Sequence, residues 1–327
     1  MNFYVKLATT AVVAATLAGP VHAEEWEPKK PVSVVVHTGP GAGSDVFARA
    51  IVNIIDKENL APVRFVVVNK TGGGSTNAIN FITGKDDDNY TLGVYASNWT
   101  TDYLVQKEAT NSLQSLTPIA NLIFEPALIM VRADSEFKTL KDFIDAAKAA
   151  PNTKKQAGGS PLGRDAMLHH VLVAYTGAQW PLISFPGGGE RLSALLGGHV
   201  DTLVLDGSEL GDFLESGKLR ALAQVTANRI DAFPAEIPTI KEAGYDIQLP
   251  LQPRGVVGTP NMSKEAADYY RQLLAKVIET ESWKDYVKNA RLESNYIAAA
   301  ELSDFLAKFA VSAKAALKSA NIETVAR

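Results

Sequence analysis

The chain has 327 residues, 46% of them hydrophobic, with 32 basic and 36 acidic side chains and a formal net charge of −4. This mild acidity argues against nucleic acid or an anionic membrane as a partner. The absence of cysteine excludes disulfides, thiolate catalysis and cysteine-ligated metals. A chain of this length usually divides into two domains.

The first residues have the composition of a secretory signal peptide. Lys6 precedes an apolar run from Leu7 to Ala18, and Val21-His22-Ala23 offers a small-residue cleavage site. The apolar run is about half of the roughly 20 residues that a membrane span needs. We therefore expect cleavage after Ala23 and a protein of the periplasm.

Strand and helix patterns alternate along the chain after this segment. Apolar runs predict strands at 32–38, 63–70, 91–97, 127–133, 180–185, 200–206 and 219–226, and amphipathic runs predict helices at 44–58, 75–84, 139–150, 166–177 and 190–198. An irregular stretch at 250–260 is followed by two purely helical segments, 263–290 and 301–320. The predicted fold class is α/β, with parallel sheets covered by helices on both faces.

Three glycine-rich turns each lie ahead of a predicted helix. The first turn is Thr38–Asp45, the second is Thr71–Ser75 and the third is Gly158–Gly163. Free backbone N–H groups and the positive end of a helix dipole meet at such turns, which makes them anion sites. The first two turns would lie side by side at the carboxyl edge of one sheet, where open α/β sheets bind ligands. For any single turn, the alternative is an ordinary βα connection in which glycine only eases chain reversal.

Nucleotide, hydrolase and metal motifs do not fit these segments. The G-x-G-x-x-G pattern needs glycine where Ser44 lies, and G-x-x-x-x-G-K-[ST] is absent. G-x-S-x-G fails because Ser160 is followed by proline and leucine. The adjacent His169 and His170 would point about 100° apart on a helix and cannot chelate one ion together. His37, at the end of the first strand, is interpreted as a structural histidine, and the alternative is a residue that contacts a ligand.

The motifs in chain order resemble a known receptor family. They are similar to the solute receptors of tripartite tricarboxylate transporters, also called the Bug family, through "VVVHTGPGAGSD", "VVVNKTGGGSTNAI", "NYTLGVYAS", "SFPGGGERLSALLGGHVDTLVLD", "SGKLRALAQVTANR", "FPAEIPTIKEAGYDI" and "GVVGTP". The resemblance implies a type II periplasmic binding protein, a two-domain Venus-flytrap fold without catalysis or cofactor. Domain 1 would comprise 24–124 and 255–327, and domain 2 would be the inserted segment 125–254.

The resemblance also implies where a ligand binds. In the family the first two turns hold one carboxylate through backbone amides and two bridging waters. On this chain those positions are Thr38, Gly39, Pro40, Gly41, Ala42, Gly43, Ser44, Thr71, Gly72, Gly73, Gly74 and Ser75. Further candidate ligand contacts are Ser97 and Asn98 after the third strand, Ser160 in the third turn, Phe185 and Gly187 in the second-domain wall, and Asp206 at a strand end.

The chain departs from the family pattern on the second-domain side. A hydroxyl and then a histidine usually begin the third helix, where this chain has Arg164 and Met167, and the aromatic residue usual before G-L-x-A-P is replaced by Pro253 and Arg254. We interpret Arg164 as the partner of a second, distal carboxylate, because a guanidinium matches that geometry. The alternative is an ion pair with Asp165. Whether this wall takes a carboxylate, an aromatic group or an amine stays open.

The function that follows is capture of a small organic carboxylate, preferably a dicarboxylate, and its delivery to the membrane permease subunits of a tripartite transporter. The alternatives are a receptor that presents its ligand to a sensor kinase, and a periplasmic hydrolase. We expect a monomer that binds no metal.

Overall fold

The computed structural model describes residues 26–185, 187–226, 228–247 and 252–326. The predicted signal peptide and its cleavage site lie outside these residues. The strands are β1 (Val32–Val36), β2 (Phe65–Asn69), β3 (Thr91–Tyr95), β4 (Thr117–Phe124), β5 (Ala127–Arg132), β6 (Gln156–Gly158), β7 (Leu182–Ser184), β8 (Thr202–Asp206), β9 (Leu219–Gln224), β10 (Pro253–Gly258) and β11 (Glu293–Ala298).

The helices follow the predicted amphipathic runs closely. They are α1 (Gly43–Lys57), α2 (Thr76–Thr83), α3 (Asn98–Val105), α4 (Leu140–Ala149), α5 (Arg164–Thr176), α6 (Gly188–Leu196), α7 (Lys264–Glu279), α8 (Glu281–Asn289) and α9 (Ala299–Ser319), with 3₁₀ turns at Leu113–Ser115 and Gly207–Glu209. Among the described residues, no helix is long and apolar enough to cross a membrane.

Two sheets organise the chain into two lobes. The first sheet has the order β11-β4-β10-β3-β1-β2 and the second has the order β7-β6-β8-β5-β9. We call the first sheet and its packed helices the first lobe, and the second sheet and its helices the second lobe. Glu125 and Pro126 lead directly from β4 to β5, and β10 brings the chain back to the first sheet.

Both sheets are mixed, which corrects the prediction of parallel sheets. Strands β1, β2 and β3 are parallel, as are β6, β7 and β8, and these strands are connected through helices. In contrast, β10 runs antiparallel to β3 and β4, and β5 runs antiparallel to β8 and β9.

The predicted domain boundary at 254/255 lies two residues inside β10. Pro253 pairs with Phe124 and Arg254 pairs with Ile123, so both belong to the first sheet. Proline is tolerated here because it is the first residue of its strand. Arg254 is thereby fixed at the point where the two lobes meet.

Each sheet carries apolar side chains on both faces. On β1, Val34 and Val36 pack with α1 and α7, while Val35 packs with Tyr95 and Trp99 on the other face. This two-sided burial explains why the strand reads as one continuous apolar run. Across the lobes, Met167 and Val171 of α5 form a small apolar cluster with α9.

The sequence patterns missed α3, β4, β6 and β11. The helical prediction for the C-terminal part was therefore incomplete, because β11 lies between α8 and α9 and pairs with β4. No residue of β11 is fully buried, and its pairing is interrupted between Ser294 and Ile297. A half-exposed strand with a shifted register leaves little apolar signal in the sequence.

Candidate functional site

A cavity of about 380 Å³ lies between the lobes. We call it the interdomain cavity. Its lining includes predicted site residues from both lobes: Thr38, Gly39, Ala42, Gly43, Ser44, Thr71, Gly72, Gly74, Ser160, Arg164, Phe185, Gly187 and Asp206. The other predicted site residues, Pro40, Gly41, Gly73, Ser75, Ser97 and Asn98, do not line it.

The first turn is shaped by the carboxylate of Asp45. Gly41, with φ of +80°, donates its backbone N–H to Asp45 Oδ2 at 2.9 Å, and Arg49 Nε and Asn69 Nδ2 donate to the same carboxylate at 2.9 Å. Burial works against ionisation of Asp45, but the hydrogen bonds from Arg49, Gly41 and Asn69 hold its pKa below the usual value. The Gly41 amide is therefore used by Asp45 in this structure, and its contact with a ligand stays a prediction.

The amide of Gly43, at the start of α1, is also taken by the protein. It donates to Glu209 Oε1 at 3.1 Å, and Glu209 lies in the 3₁₀ turn that follows β8 in the second lobe. Arg191 Nη2 donates to both Glu209 oxygens at 2.9 Å. Burial raises the pKa of Glu209, although the Arg191 charge opposes that effect. A carboxylate of the second lobe thus occupies the positive end of α1.

The second turn is organised by Asp102, on the unpredicted helix α3. Three successive glycines take φ values of +111°, +60° and +66°, which a side chain would strain. Asp102 Oδ2 accepts from the Ser75 backbone N–H at 2.6 Å and from Ser75 Oγ at 2.8 Å. Burial raises the pKa of Asp102 to about 6, although hydrogen bonds from Ser75, Asn98 and Gln106 lower it.

Three of the predicted contacts serve the protein itself. Ser75 and Asn98 both donate to Asp102, the latter at 3.3 Å. Ser97 donates to Gln252 Oε1, and Gln252 in turn lines the cavity. These hydrogen bonds hold α3 against the second turn and account for the position of Ser75, Ser97 and Asn98 outside the cavity lining.

The third turn repeats the arrangement of the first. Asp165 accepts from the Gly159 backbone N–H at 2.7 Å, and Arg191 Nη1 lies 3.5 Å from the same oxygen. Asp165 is therefore held by the turn and by Arg191, and the alternative pairing of Arg164 with Asp165 is wrong. Arg164 instead donates to the carbonyl oxygen of Glu125 at 2.5 Å and to Asp206 Oδ1.

Arg254 connects both lobes to the segment between them. Its Nη1 donates to Ser44 Oγ at 2.5 Å, its Nη2 donates to Asp206 Oδ2 at 2.7 Å, and its Nε donates to Glu125 Oε2. Arg164 and Arg254 thus hold one oxygen each of the Asp206 carboxylate. Their exposed fractions are only 4% and 3%, and burial lowers the pKa of Arg164 to about 10. The sequence indicated Arg254 only as a departure from a family pattern.

Three cavity residues carry buried polar atoms without a hydrogen-bond partner. They are Thr38 Oγ1, Ser160 Oγ and Arg164 Nε. Buried polar groups in native proteins are nearly always paired, because an unpaired one loses its hydration without compensation. Two hydroxyls and a guanidinium N–H, drawn from both lobes, are therefore available to hydrogen-bond a molecule in the cavity.

His37 also lines the cavity and is 8% exposed. Trp99 Nε1 donates to His37 Nδ1 at 3.0 Å. Burial, and then the charge of Arg254, lower the pKa of His37 to about 3, so the ring is neutral at ordinary pH. Among the described residues, no group of three or more His, Asp or Glu side chains is placed to hold a metal ion.

Two α/β lobes that enclose a cavity between them define a type II periplasmic binding protein. Residues 47–322 match the family model described as the tripartite tricarboxylate transporter family receptor, and the chain belongs to this family of solute-binding receptors.

Relatives with known names agree with this assignment. BugT of Bordetella pertussis is 28% identical over 250 residues, covering 75% of this chain and 76% of BugT. A Cupriavidus necator protein is 28% identical over 319 residues, covering 95% of this chain and 93% of that protein.

Solved structures share the fold. The periplasmic binding protein BugD superposes with a TM-score of 0.83 at 21% sequence identity. MatC of Rhodopseudomonas palustris with bound malate superposes with a TM-score of 0.77 at 18% identity, and an R. palustris protein with adipate superposes with a TM-score of 0.82 at 20% identity. In all three, 90% of this chain and 99% of the other chain are covered.

Proposed function

We propose that the protein is a periplasmic receptor that captures a small organic dicarboxylate in the interdomain cavity and delivers it to the permease of a tripartite tricarboxylate transporter. The observation that carries the proposal is the set of unpartnered buried donors on the two walls: Thr38 Oγ1 on one side, Ser160 Oγ and Arg164 Nε on the other. Donors at both ends suit a ligand with an acid group at each end.

The size of the cavity supports a small ligand. Its volume of about 380 Å³ lies near the lower end of the roughly 300–1,000 Å³ that is typical of small-molecule sites. Two fold neighbours are described with adipate and with malate, which are both dicarboxylates.

Contacts across the cavity support a mechanism of domain closure. Thr101 Oγ1 of the first lobe donates to the Leu162 carbonyl oxygen of the second at 2.6 Å. Gly43 donates to Glu209 and Arg254 donates to Asp206 from the first lobe to the second as well. A ligand held by both walls adds to these contacts and shifts the population towards the closed form. The closed form is then the state that the permease recognises.

The test begins with the ligand. Native mass spectrometry of the protein purified from its own periplasm should reveal a co-purifying acid, and calorimetry should rank succinate, malate, glutarate and adipate against the monocarboxylates butyrate and hexanoate. We expect micromolar or tighter binding of at least one dicarboxylate and much weaker binding of its monocarboxylate counterpart. Equal affinity within each matched pair would contradict the dicarboxylate assignment.

Transport is tested in cells. Deleting the permease genes should abolish uptake of the ligand while leaving its binding by the purified protein unchanged. The alternative role is to present the ligand to a sensor kinase. It is favoured if uptake continues in the permease deletion strain while deletion of the receptor gene abolishes ligand-dependent transcription. A ligand that returns chemically unchanged after incubation with the protein argues against a hydrolase.

A further inference from the structure

We propose that His37 and Thr38 provide the hydrogen bonds by which the first lobe holds one ligand carboxylate, with His37 acting as a neutral Nε2–H donor. This inference rests on the proposed function and names the residues that select the ligand's group at this wall. In this proposal the ligand carboxylate accepts hydrogen bonds from side chains at the end of β1 and not from the backbone amides of the glycine turns.

The first step is that key amides of the turns are already used. The N–H of Gly41 is bonded to Asp45, that of Gly43 to Glu209, and that of Ser75 to Asp102. Each acceptor is a buried carboxylate of the protein, so in this closed arrangement a ligand oxygen cannot take these positions without displacing one of them. A ligand oxygen on this wall therefore needs a donor other than these three amides, and side chains that line the cavity are candidates.

The second step is the orientation of His37. Its Nδ1 accepts the indole N–H of Trp99, and an imidazole nitrogen that accepts a hydrogen bond carries no proton. The neutral ring therefore has its proton on Nε2. Trp99 is fully buried in the apolar cluster beneath β1, so the Nδ1 edge of the ring faces that cluster. Nε2 is then the ring nitrogen that is left to donate to a molecule in the cavity that His37 lines.

The third step is the neighbouring hydroxyl. Thr38 Oγ1 is buried, has no hydrogen-bond partner and belongs to the same cavity wall. A hydroxyl and a neutral N–H on successive residues offer two donors to one carboxylate. The Arg254 guanidinium, the charge that acts on the His37 ring, disfavours its protonation. A neutral N–H group at this position donates to a carboxylate or carbonyl oxygen and cannot bind an ammonium group, which has no acceptor to offer.

The tautomer can be tested without any variant. Nitrogen-15 NMR of histidine-labelled protein should show His37 with Nδ1 unprotonated and Nε2 protonated before ligand is added. Titration with succinate, malate, glutarate or adipate, whichever binds most tightly, should move the Nε2–H proton resonance downfield and slow its exchange with water. A proton found on Nδ1, or a His37 resonance that does not respond to saturating ligand, would overturn the inference.

Variants test the contribution to affinity. His37→Phe keeps a ring of similar size but cannot donate, and we expect it to weaken binding of the tightest dicarboxylate roughly 10- to 100-fold, the range for a hydrogen bond to a charged group. His37→Gln restores a donor and should recover part of this loss, and Thr38→Val should lose affinity in the same direction. His199→Phe, outside the cavity lining, is the matched control and should bind as the wild type does.

The possible failures can be told apart. If no dicarboxylate of the panel binds the wild type, the proposed function fails and this inference fails with it. If a dicarboxylate binds the wild type and the folded His37→Phe protein with equal affinity, only the inference fails. If His37→Phe does not fold, the NMR titration of the wild type decides.

Discussion

The Glu209 carboxylate of the second lobe accepts a hydrogen bond from the Gly43 backbone N–H of the first lobe at 3.1 Å. Both oxygens of Glu209 also pair with Arg191 at 2.9 Å. The start of α1, which would otherwise be open to a ligand anion, is therefore capped by the protein itself when the lobes close. This contact links the geometry of the binding site to the equilibrium between open and closed forms.

Glu209→Gln should favour the open form of the ligand-free protein. The amide keeps an acceptor for Gly43 but loses its charge, which leaves Arg191 without its bidentate partner and weakens the contact with the positive end of α1. We expect a larger radius of gyration in small-angle scattering and a free energy of unfolding lower by roughly 3 kcal/mol. Glu190→Gln, an exposed position on α6, is the matched control and should change neither quantity.

Gly43→Val should abolish ligand binding while the fold is retained. A Cβ at Gly43 would overlap Arg254 Nη2 and lie 2.9 Å from Asp206 Oδ2, so the side chain would obstruct the junction where the lobes meet. We expect the affinity for the tightest dicarboxylate to fall at least about 100-fold, or about 2.7 kcal/mol. Calorimetry and circular dichroism on the same sample measure the two effects.

Gly41→Val is the matched comparison, two residues away. A Cβ there meets no atom within 4 Å, but the backbone has φ of +80°. We therefore expect the reverse outcome, with the free energy of unfolding lower by roughly 1–3 kcal/mol and affinity close to that of the wild type. If Gly41→Val lost binding as severely as Gly43→Val, the first turn would be contributing more to the ligand than its bond to Asp45 implies.

The local chemistry of the turns could be predicted from the sequence, but their partners could not. The glycine runs correctly indicated turns ahead of α1 and α2, and Asp45 lies close enough in the chain to be read as part of its turn. The acceptor for Ser75 is 27 residues away on a helix with no clear periodic signal, and the acceptor for Gly43 is 166 residues away in the other lobe. Only the folded chain shows that carboxylates already occupy these amides.

The same limit applies to the arginines. The sequence singled out Arg164 as unusual and offered Asp165 as its neighbour, because adjacent residues are the simplest partners to propose. In the structure Arg164 and Arg254 both donate to Asp206. Arg164 is 42 residues from Asp206 in the chain and Arg254 is 48 residues from it. The convergence of two guanidiniums on one carboxylate depends on how β8 and β10 are brought together, which no local pattern encodes.

Stability should depend on pH through His37. Its pKa is about 3 in the folded protein against 6.5 as the ordinary value, so the unfolded chain binds more protons between these limits and stability falls as the pH drops below 6.5. At pH 5 the His37 contribution should be lower by about 2 kcal/mol than at neutral pH. Chemical denaturation at both pH values measures the loss.

His37→Gln isolates this effect from other groups. The glutamine oxygen can still accept from Trp99 but does not titrate, so the difference between wild type and variant should shrink or reverse as the pH falls. Asp102 acts in the opposite direction, because burial raises its pKa to about 6. Its contribution to the free energy of unfolding therefore increases as the pH falls and the carboxylate becomes protonated. A constant difference between wild type and variant from pH 7 to pH 5 would show that His37 is protonated alike in the folded and unfolded states.

Arg164→Ala should discriminate between ligands with one and two acid groups. The buried Nε of Arg164 has no partner in the protein, and a distal carboxylate that accepts from it would be left unpaired in the variant. We expect the tightest dicarboxylate to lose roughly 2–4 kcal/mol of binding free energy and the matched monocarboxylate to lose far less. Arg164→Lys should recover only part of the lost affinity, since an ammonium cannot reproduce the guanidinium geometry.

Because Arg164 also holds Asp206, both variants need a measured free energy of unfolding beside the calorimetry. An equal loss for both ligands would assign Arg164 to positioning Asp206, and the second acid group would then have no dedicated partner on this wall.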